Sequence, residues 1–243
     1  MWRVSKRIMK ITENIELLNC DCMEYMRTLP DNAFDLAICD PPYGGGNDGE
    51  LNGGGRFGGR FDRYKSTTLS EEDLKGTITP PHDGKKENRI PWDIAPSEDY
   101  FKELFRVSRN QIIWGANYFK MPPTRCFVVW RKLTISEGFS MAMAEYAWTS
   151  FKENAKVYEC MPQGSMKDRR FHPTQKPVSL YAWLLNNYAK DGDKILDTHF
   201  GSCSIGVACH NLGFSLTACE INETYFKKAV ERLKQHIRQQ KLF

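Results

Sequence analysis

The sequence predicts an α/β protein, a sheet of about seven strands with helices on both faces. Three observations carry this. Short apolar, β-prone runs alternate with helical stripes along the chain. One such run, Phe34–Cys39, stops at Asp40-Pro41-Pro42-Tyr43. Near the C-terminus, residues 194–197, 198–202 and 215–219 follow as strand, glycine-bearing turn and strand, with a helix between and Glu220 at the end.

Composition bounds the function classes. The chain has 243 residues, 41% hydrophobic and 26% charged, enough for a large core in one α/β domain or two small ones. No apolar run approaches the ~20 residues that a membrane span needs. The first residues, Met1-Trp2-Arg3-Val4-Ser5-Lys6-Arg7, are basic but lack an apolar signal core, so the cytoplasm is the expected compartment. Eight cysteines include no C-x-x-C pair, which favours free thiols over a metal or disulfide framework. A net charge of +4 permits a polyanionic partner without requiring one.

The elements follow in order. Residues 1–10 read as a frayed basic arm. Residues 15–19 form a short strand, and Asp21 caps a helix from about 22 to 28. Residues 30–32 turn into the strand that ends at Cys39. Nine of the 18 glycines then fall between Gly44 and Gly59. Arg56, Arg60, Arg63 and Lys65 are interleaved there with Phe57, Phe61 and Tyr64. No period of either kind appears before Pro91. Segment 44–91 is therefore expected to be a functional lid, the plain alternative being a solvated flexible linker.

Order returns at Trp92. Ser97 caps a helix to about Val107, striped by Phe101, Leu104, Phe105 and Val107. Strands are expected at 111–114, 126–130 and 145–151. Residues 138–144 suggest a helical turn, and 152–171 look irregular and basic. A helix spans about 178–189, a turn 191–193, and a strand 194–197. Residues 200–202 open a helix to about Leu212, with Gly213 just past its end. The strand 215–219 ends at Glu220, and Asn222 caps a last helix from about 225 to 237.

Two places could carry chemistry. Prolines cannot extend a ladder, so the Asp40–Tyr43 corner leaves an acid, bare carbonyls and a ring at the carboxyl end of a strand, where open α/β sheets bind ligands. The C-terminal unit sets Asp197 and Glu220 23 residues apart, close to the spacing of a ribose-binding acid. G-x-G-x-x-G is absent, so a ligand with one ribose and no phosphates suits it better than a dinucleotide. Each place alone has a plain alternative: a strand stop with a turn, and an ordinary βαβ unit with an exposed acid.

Together they resemble the amino-methyltransferases of DNA. The order, corner first and cofactor loop last, is that of the β class. The resemblance covers most of the chain. It implies a single catalytic domain over 1–243, a seven-stranded, Rossmann-like doubly wound sheet with circularly permuted motifs, and S-adenosylmethionine as cofactor. Asp40, Pro41, Pro42 and Tyr43 would be catalytic. Asn19-Cys20-Asp21-Cys22 sits where the family meets the cofactor's adenine, which implies Asp21 and Cys22. His172-Pro173-Thr174-Gln175-Lys176-Pro177 resembles the segment that closes over the methionine part, which implies His172, Gln175, Lys176 and Pro177. Asp197, Phe200, Gly201, Ser202, Glu220 and Ile221 complete the implied cofactor site, together with Asp40; no metal is implied. Asp rather than Ser at the first corner position favours adenine over cytosine. The implied activity is site-specific transfer of a methyl group to N6 of a flipped adenine. DNA is the implied partner, with a homodimer and a cognate restriction enzyme as further ones, no membrane, and a nucleoid-associated place in the cytoplasm. Two departures stand out. Cys203 occupies a position usually held by glycine, and residues 152–171 are too short for an independent recognition domain. Either segment 44–91 then meets the DNA, with Arg56, Arg60, Arg63 and Lys65 on phosphates, or specificity is low, or a partner supplies it. The rival readings are cytosine N4 or RNA adenine methylation, a non-catalytic nucleic-acid module, and a dinucleotide oxidoreductase.

Overall fold

The computed structural model describes residues 7–44, 94–138, 142–162 and 170–239. The strands are β1 (Arg7–Lys10), β2 (Ile15–Asn19), β3 (Phe34–Cys39), β4 (Ser108–Trp114), β5 (Phe127–Lys132), β6 (Ala144–Thr149), β7 (Lys156–Cys160), β8 (Lys194–Asp197) and β9 (Ser215–Cys219). The α-helices are α1 (Cys22–Met26), α2 (Glu98–Val107), α3 (Val178–Tyr188), α4 (Ser204–Leu212) and α5 (Glu223–Arg238). Among the described residues, nine strands join one sheet in the order β1-β2-β9-β8-β3-β4-β6-β5-β7. The five strands β2, β9, β8, β3 and β4 run parallel, while β1 and β6 pair antiparallel with β2 and β4.

Strand β3 shows why the sequence folds this way. Leu36 and Ile38 face one side of the sheet, where Leu180, Leu184, Ile205, Phe226 and Leu233 of α3, α4 and α5 cover them. Ala37 and Cys39 face the other, under Met26 of α1 and Tyr100 and Leu104 of α2. A strand buried on both faces reads as a continuous apolar run, as this one does.

Two strands lie beyond the seven expected. Residues 7–10, expected to be frayed, form β1 and pair with β2 from Arg7↔Asn19 to Lys10↔Glu16. Met9 packs on the core, and the pairing covers the otherwise open edge of β2. Strand β7 lies inside the stretch expected to be irregular. Its Lys, Val, Tyr, Glu, Cys alternation turns Tyr158 inward, onto Trp183 of α3 at 5.0 Å. The two charged residues had masked the period of two. Three further boundaries differ. Ser97 precedes α2 but its side chain makes no capping bond. Helix α4 starts at Ser204 rather than Phe200, leaving 198–203 as a loop. No helix occupies the described part of 138–144.

The chain order of β3 and β8 is far apart, yet they pair directly, Leu36↔Ile195 and Ala37↔Leu196. From β3 the chain proceeds to β4 on one side; from β8 it proceeds to β9 on the other. Their carboxyl ends therefore flank the point where the winding reverses, which is where such sheets bind ligands.

Candidate active site

Asp40 leaves the end of β3 at this point. One carboxylate oxygen, Oδ1, accepts the Tyr43 hydroxyl at 2.7 Å. The other, Oδ2, accepts the Lys176 ammonium at 2.5 Å. Tyr43 lies against Gly115, whose φ of +65° and missing side chain both matter, because a Cβ there would collide with the ring. The ring stacks on Tyr118 at 4.9 Å and 17°, with Phe119 edge-on at 6.2 Å. Three aromatic rings thus stand beside the corner. Tyr118 and Phe119 carried no sequence signal beyond their place just after β4.

Lys176 has a second anion. Its ammonium is 3.0 Å from Glu145 Oε2, and Glu145 Oε1 is 2.6 Å from Lys132. The Lys176 side chain is only 3% exposed and that of Lys132 6%. Each ammonium lies over an indole, Lys176 over Trp114 at 5.3 Å and Lys132 over Trp130 at 5.1 Å. Desolvated cations gain from such ring faces. The row Asp40–Lys176–Glu145–Lys132 alternates in sign and sums to zero. Burial pushes the Asp40 carboxyl up, Lys176 pulls it down, and Glu145 pushes it up again; it stays above the usual carboxylate value. Burial also acts to raise Glu145, but Lys176 and Lys132 outweigh it and hold its pKa at about 2. The resemblance led Lys176 to be expected on the cofactor; the structure sets its ammonium between Asp40 and Glu145. Glu145 and Lys132 were missed. They sit in strands that otherwise read as apolar, and only their parity with Ala147 and Trp130 hints at the inward face.

The second half of the site lies at β8 and β9. Asp197 is 1% exposed and accepts the His199 N–H at 2.9 Å. Glu220 accepts the Gly201 N–H at 3.1 Å and the Asn222 N–H at 2.7 Å, one on each oxygen. Burial pushes Asp197 up to about 8, with the Asp40 and Glu220 charges adding to it, and Glu220 up to about 7. Gly201 has a φ of +48°, and a Cβ on it would press within 3.1 Å of the His172 ring. His172 thus lies over the loop, edge-on to Tyr225 at 4.4 Å, with burial holding its pKa at about 4. The hexapeptide and the loop thus lie in contact.

The Asn19–Cys22 segment meets the same loop. Cys22 Sγ is 4.0 Å from His199 Nε2, and Asp21 caps α1 by accepting from Met23 N at 2.7 Å. Asn19 Nδ2 donates to the Glu220 and Ile221 carbonyls at 2.8 and 3.2 Å, fixing the backbone that carries the acid. Other expected residues serve the scaffold. Phe200 is a core residue, tilted on Phe226 at 6.1 Å. Gln175 is buried and accepts from Phe171 N at 3.4 Å; Pro177 starts α3. Ser202 is buried, its hydroxyl 3.2 Å from that of Ser204. Cys203 takes the left-handed conformation, φ +60° and ψ +33°, that a glycine would adopt more easily. Arg56, Arg60, Arg63 and Lys65 lie outside the described residues.

Known proteins carry similar features. Residues 123–231 match the N6/N4 family model described as DNA methylase. Type II methyltransferase M2.DpnII of Streptococcus pneumoniae is 25% identical over 89% of this chain and 88% of its own length. Type II methyltransferase M.HinfI of Haemophilus influenzae is 23% identical over 90% of this chain and 68% of its own. The solved M1.HpyAVI–SAM complex shares the fold at a TM-score of 0.54 and 16% identity, covering 90% of this chain and 98% of that one. The cytosine-N4-specific PvuII DNA methyltransferase does so at 0.55 and 11%, covering 93% and 92%. The chain is thus similar over most of its length to two Type II methyltransferases, and its residues 123–231 match the DNA methylase model.

Proposed function

We propose that the chain transfers the methyl group of S-adenosylmethionine to the exocyclic N6 amine of an adenine in DNA. The observation that carries this reading is Asp40: a charged acceptor at the carboxyl end of β3, beside the Asp197 and Glu220 unit on β8 and β9. The residues of that unit fit the cofactor. Glu220 has both oxygens oriented by backbone N–H groups and retains lone pairs for a ribose diol. Desolvation raises the pKa values of Asp197 and Glu220, and a cationic ligand beside them would favour their charged forms. His172 over Gly201, and Cys22 beside His199, bring the two segments expected at the methionine and adenine ends to one loop.

S-adenosylmethionine supplies an electrophilic methyl on a sulfonium. The chain has to make a poor nucleophile act. The adenine amine delocalises its lone pair into the ring, and accepting hydrogen bonds from both N–H groups draws that pair out. Asp40 and the Pro41 carbonyl would accept them; the proline ring restricts the backbone there. Tyr43, now donating to Oδ1, must yield that oxygen to the amine. Its ring, and those of Tyr118 and Phe119, offer faces on which a base can stack, worth ~1–3 kcal/mol. That gain helps offset the few kcal/mol of unstacking when the base leaves the duplex. Lys176 lowers the cost of ionising the buried Asp40, and the carboxylate would oppose the positive charge that develops on the amine. Segment 44–91 is proposed to meet the DNA within one catalytic domain. The homodimer, the cognate restriction enzyme and the nucleoid location belong to the same proposal; light scattering tests the first, neighbouring genes the second and imaging the third. Among the described residues, no helix is long and apolar enough to cross a membrane.

Asp40→Ala tests the reading. Methyl transfer should fall by at least roughly 10²-fold, while cofactor affinity stays within about threefold. Retained transfer would remove Asp40 from the chemistry. A second reading, cytosine N4, has the fold of the PvuII enzyme in its favour and the Asp40 acid against it; the identity of the methylated nucleoside separates the two.

A further inference from the structure

We propose that Glu145 is a positioning residue for this methyl transfer: it holds Lys176 from the side away from Asp40, leaving one carboxylate oxygen of Asp40 for the amine. The inference rests on the reading above and extends it to a residue that makes no contact with Asp40.

The geometry is specific. Glu145 is the second residue of β6, which runs antiparallel to β4, so it stands at the same sheet edge as Asp40. Its Oε2 lies 3.0 Å from the Lys176 ammonium, and its Oε1 is tied to Lys132 at 2.6 Å. Trp130, the cross-strand partner of Glu145, supports Lys132, and Trp114 supports Lys176. Oε2 has no well-aligned hydrogen bond, so Glu145 acts on Lys176 mainly through charge.

An ammonium has three donors and a strong preference for carboxylate. With Asp40 as its sole anion, Lys176 could settle between Oδ1 and Oδ2 and occupy both. The amine would then lose its acceptor. Glu145 draws the ammonium the other way, and Lys132 keeps Glu145 in place while cancelling the extra negative charge. A row that served stability alone would gain little, because buried ion pairs often do no better than apolar side chains of similar volume. This row ends instead on the acid at the corner.

The groups that bear on Asp40 are Lys176, Glu145, Tyr43 of its own turn, Tyr181 of α3 and Asp197 of β8, with Lys132 acting through Glu145. Glu145 acts to raise the Asp40 pKa, so removing its charge makes Asp40 easier to ionise.

The test is Glu145→Gln in the full chain, assayed with S-adenosylmethionine and unmethylated DNA. The expected result is a kcat lower by roughly 10- to 100-fold, with cofactor Kd and DNA KM within about twofold. The acid limb of the kcat–pH profile should move to lower pH, and Glu145→Asp should recover part of the rate. A second protein, Glu145→Leu with Lys132→Met, removes one charge of each sign and keeps the core neutral; it should fold and show the same loss. Wild-type kcat in either protein would overturn the inference, as would a lower kcat with an unmoved acid limb. If the wild-type chain itself transferred no methyl group, the functional reading would fail instead.

Discussion

Desolvation makes Asp197, which is buried, and Glu220, which is partly exposed, hold their protons far above the usual carboxylate range, and this gives the chain a pH-dependent stability. An acid with a raised folded pKa stays protonated while the unfolded chain has already lost its proton. Stability then falls as pH rises through that window, from 3.8 to about 8 for Asp197 and from 4.5 to about 7 for Glu220. His172 and His199 do the opposite. Burial lowers both from 6.5 to about 4, so their contribution grows as pH rises from 4 to 6.5 and is complete above it. Below pH 6.5 the two pairs oppose each other; above it only the acids act. We predict that the cofactor-free chain loses on the order of 2 kcal/mol between pH 6.5 and 8. Urea unfolding at both values measures it, and Asp197→Asn or Glu220→Gln should flatten the slope. Equal stability at both values would contradict the burial of these acids. At this scale, the sequence showed both acids and the corner, since prolines and a strand end leave a visible mark. It hid Glu145, Lys132 and the true position of the Lys176 ammonium, because no local pattern says which strands will be neighbours.

The loop from 198 to 203 and helix α4 show a compensation between two residues. Cys203 adopts a left-handed φ of +60°, a conformation costing of order 1–3 kcal/mol for a residue with a side chain. Its buried Sγ fills the space that Gly206 leaves open, so a Cβ on Gly206 would collide with it. The sequence revealed an unusual residue at 203 but could not reveal that Gly206 makes room for it. Gly206→Ala alone should destabilise the chain by about 1–3 kcal/mol through overpacking. With Cys203→Gly added, the new methyl group gains the vacated space and the backbone relaxes, and at least about 1 kcal/mol should return. A double-mutant cycle in urea checks this; strictly additive effects would show that the two residues do not share the space. The same limit explains the elements that sequence patterns missed. Strand β1 exists because β2 offers an edge, and β7 because β5 and Trp183 do. Helices α1, α2, α3 and α5 carried their own stripes or caps and were legible within a few residues.

In the whole molecule, the two halves of the site are brought together by one pairing, β3 with β8, across some 160 residues of chain. Motif order in the sequence implied this arrangement, because corner and cofactor loop can meet only if their strands become neighbours. The part that would choose a DNA sequence was expected in segment 44–91, and residues 45–93 lie outside the described part of the chain. What the fold does bring together at the reversal point is the Asp40 carboxyl paired with Lys176, three aromatic rings beside it, and the acids Asp197 and Glu220 on the adjoining strands. The most direct test of the proposed methyl transfer is product analysis. The purified chain is incubated with methyl-labelled S-adenosylmethionine and unmethylated DNA, and the digested nucleosides are separated by mass. Label in N6-methyladenine, absent with Asp40→Ala, is the predicted result; label in N4-methylcytosine, or bound cofactor with no label in DNA, would contradict it.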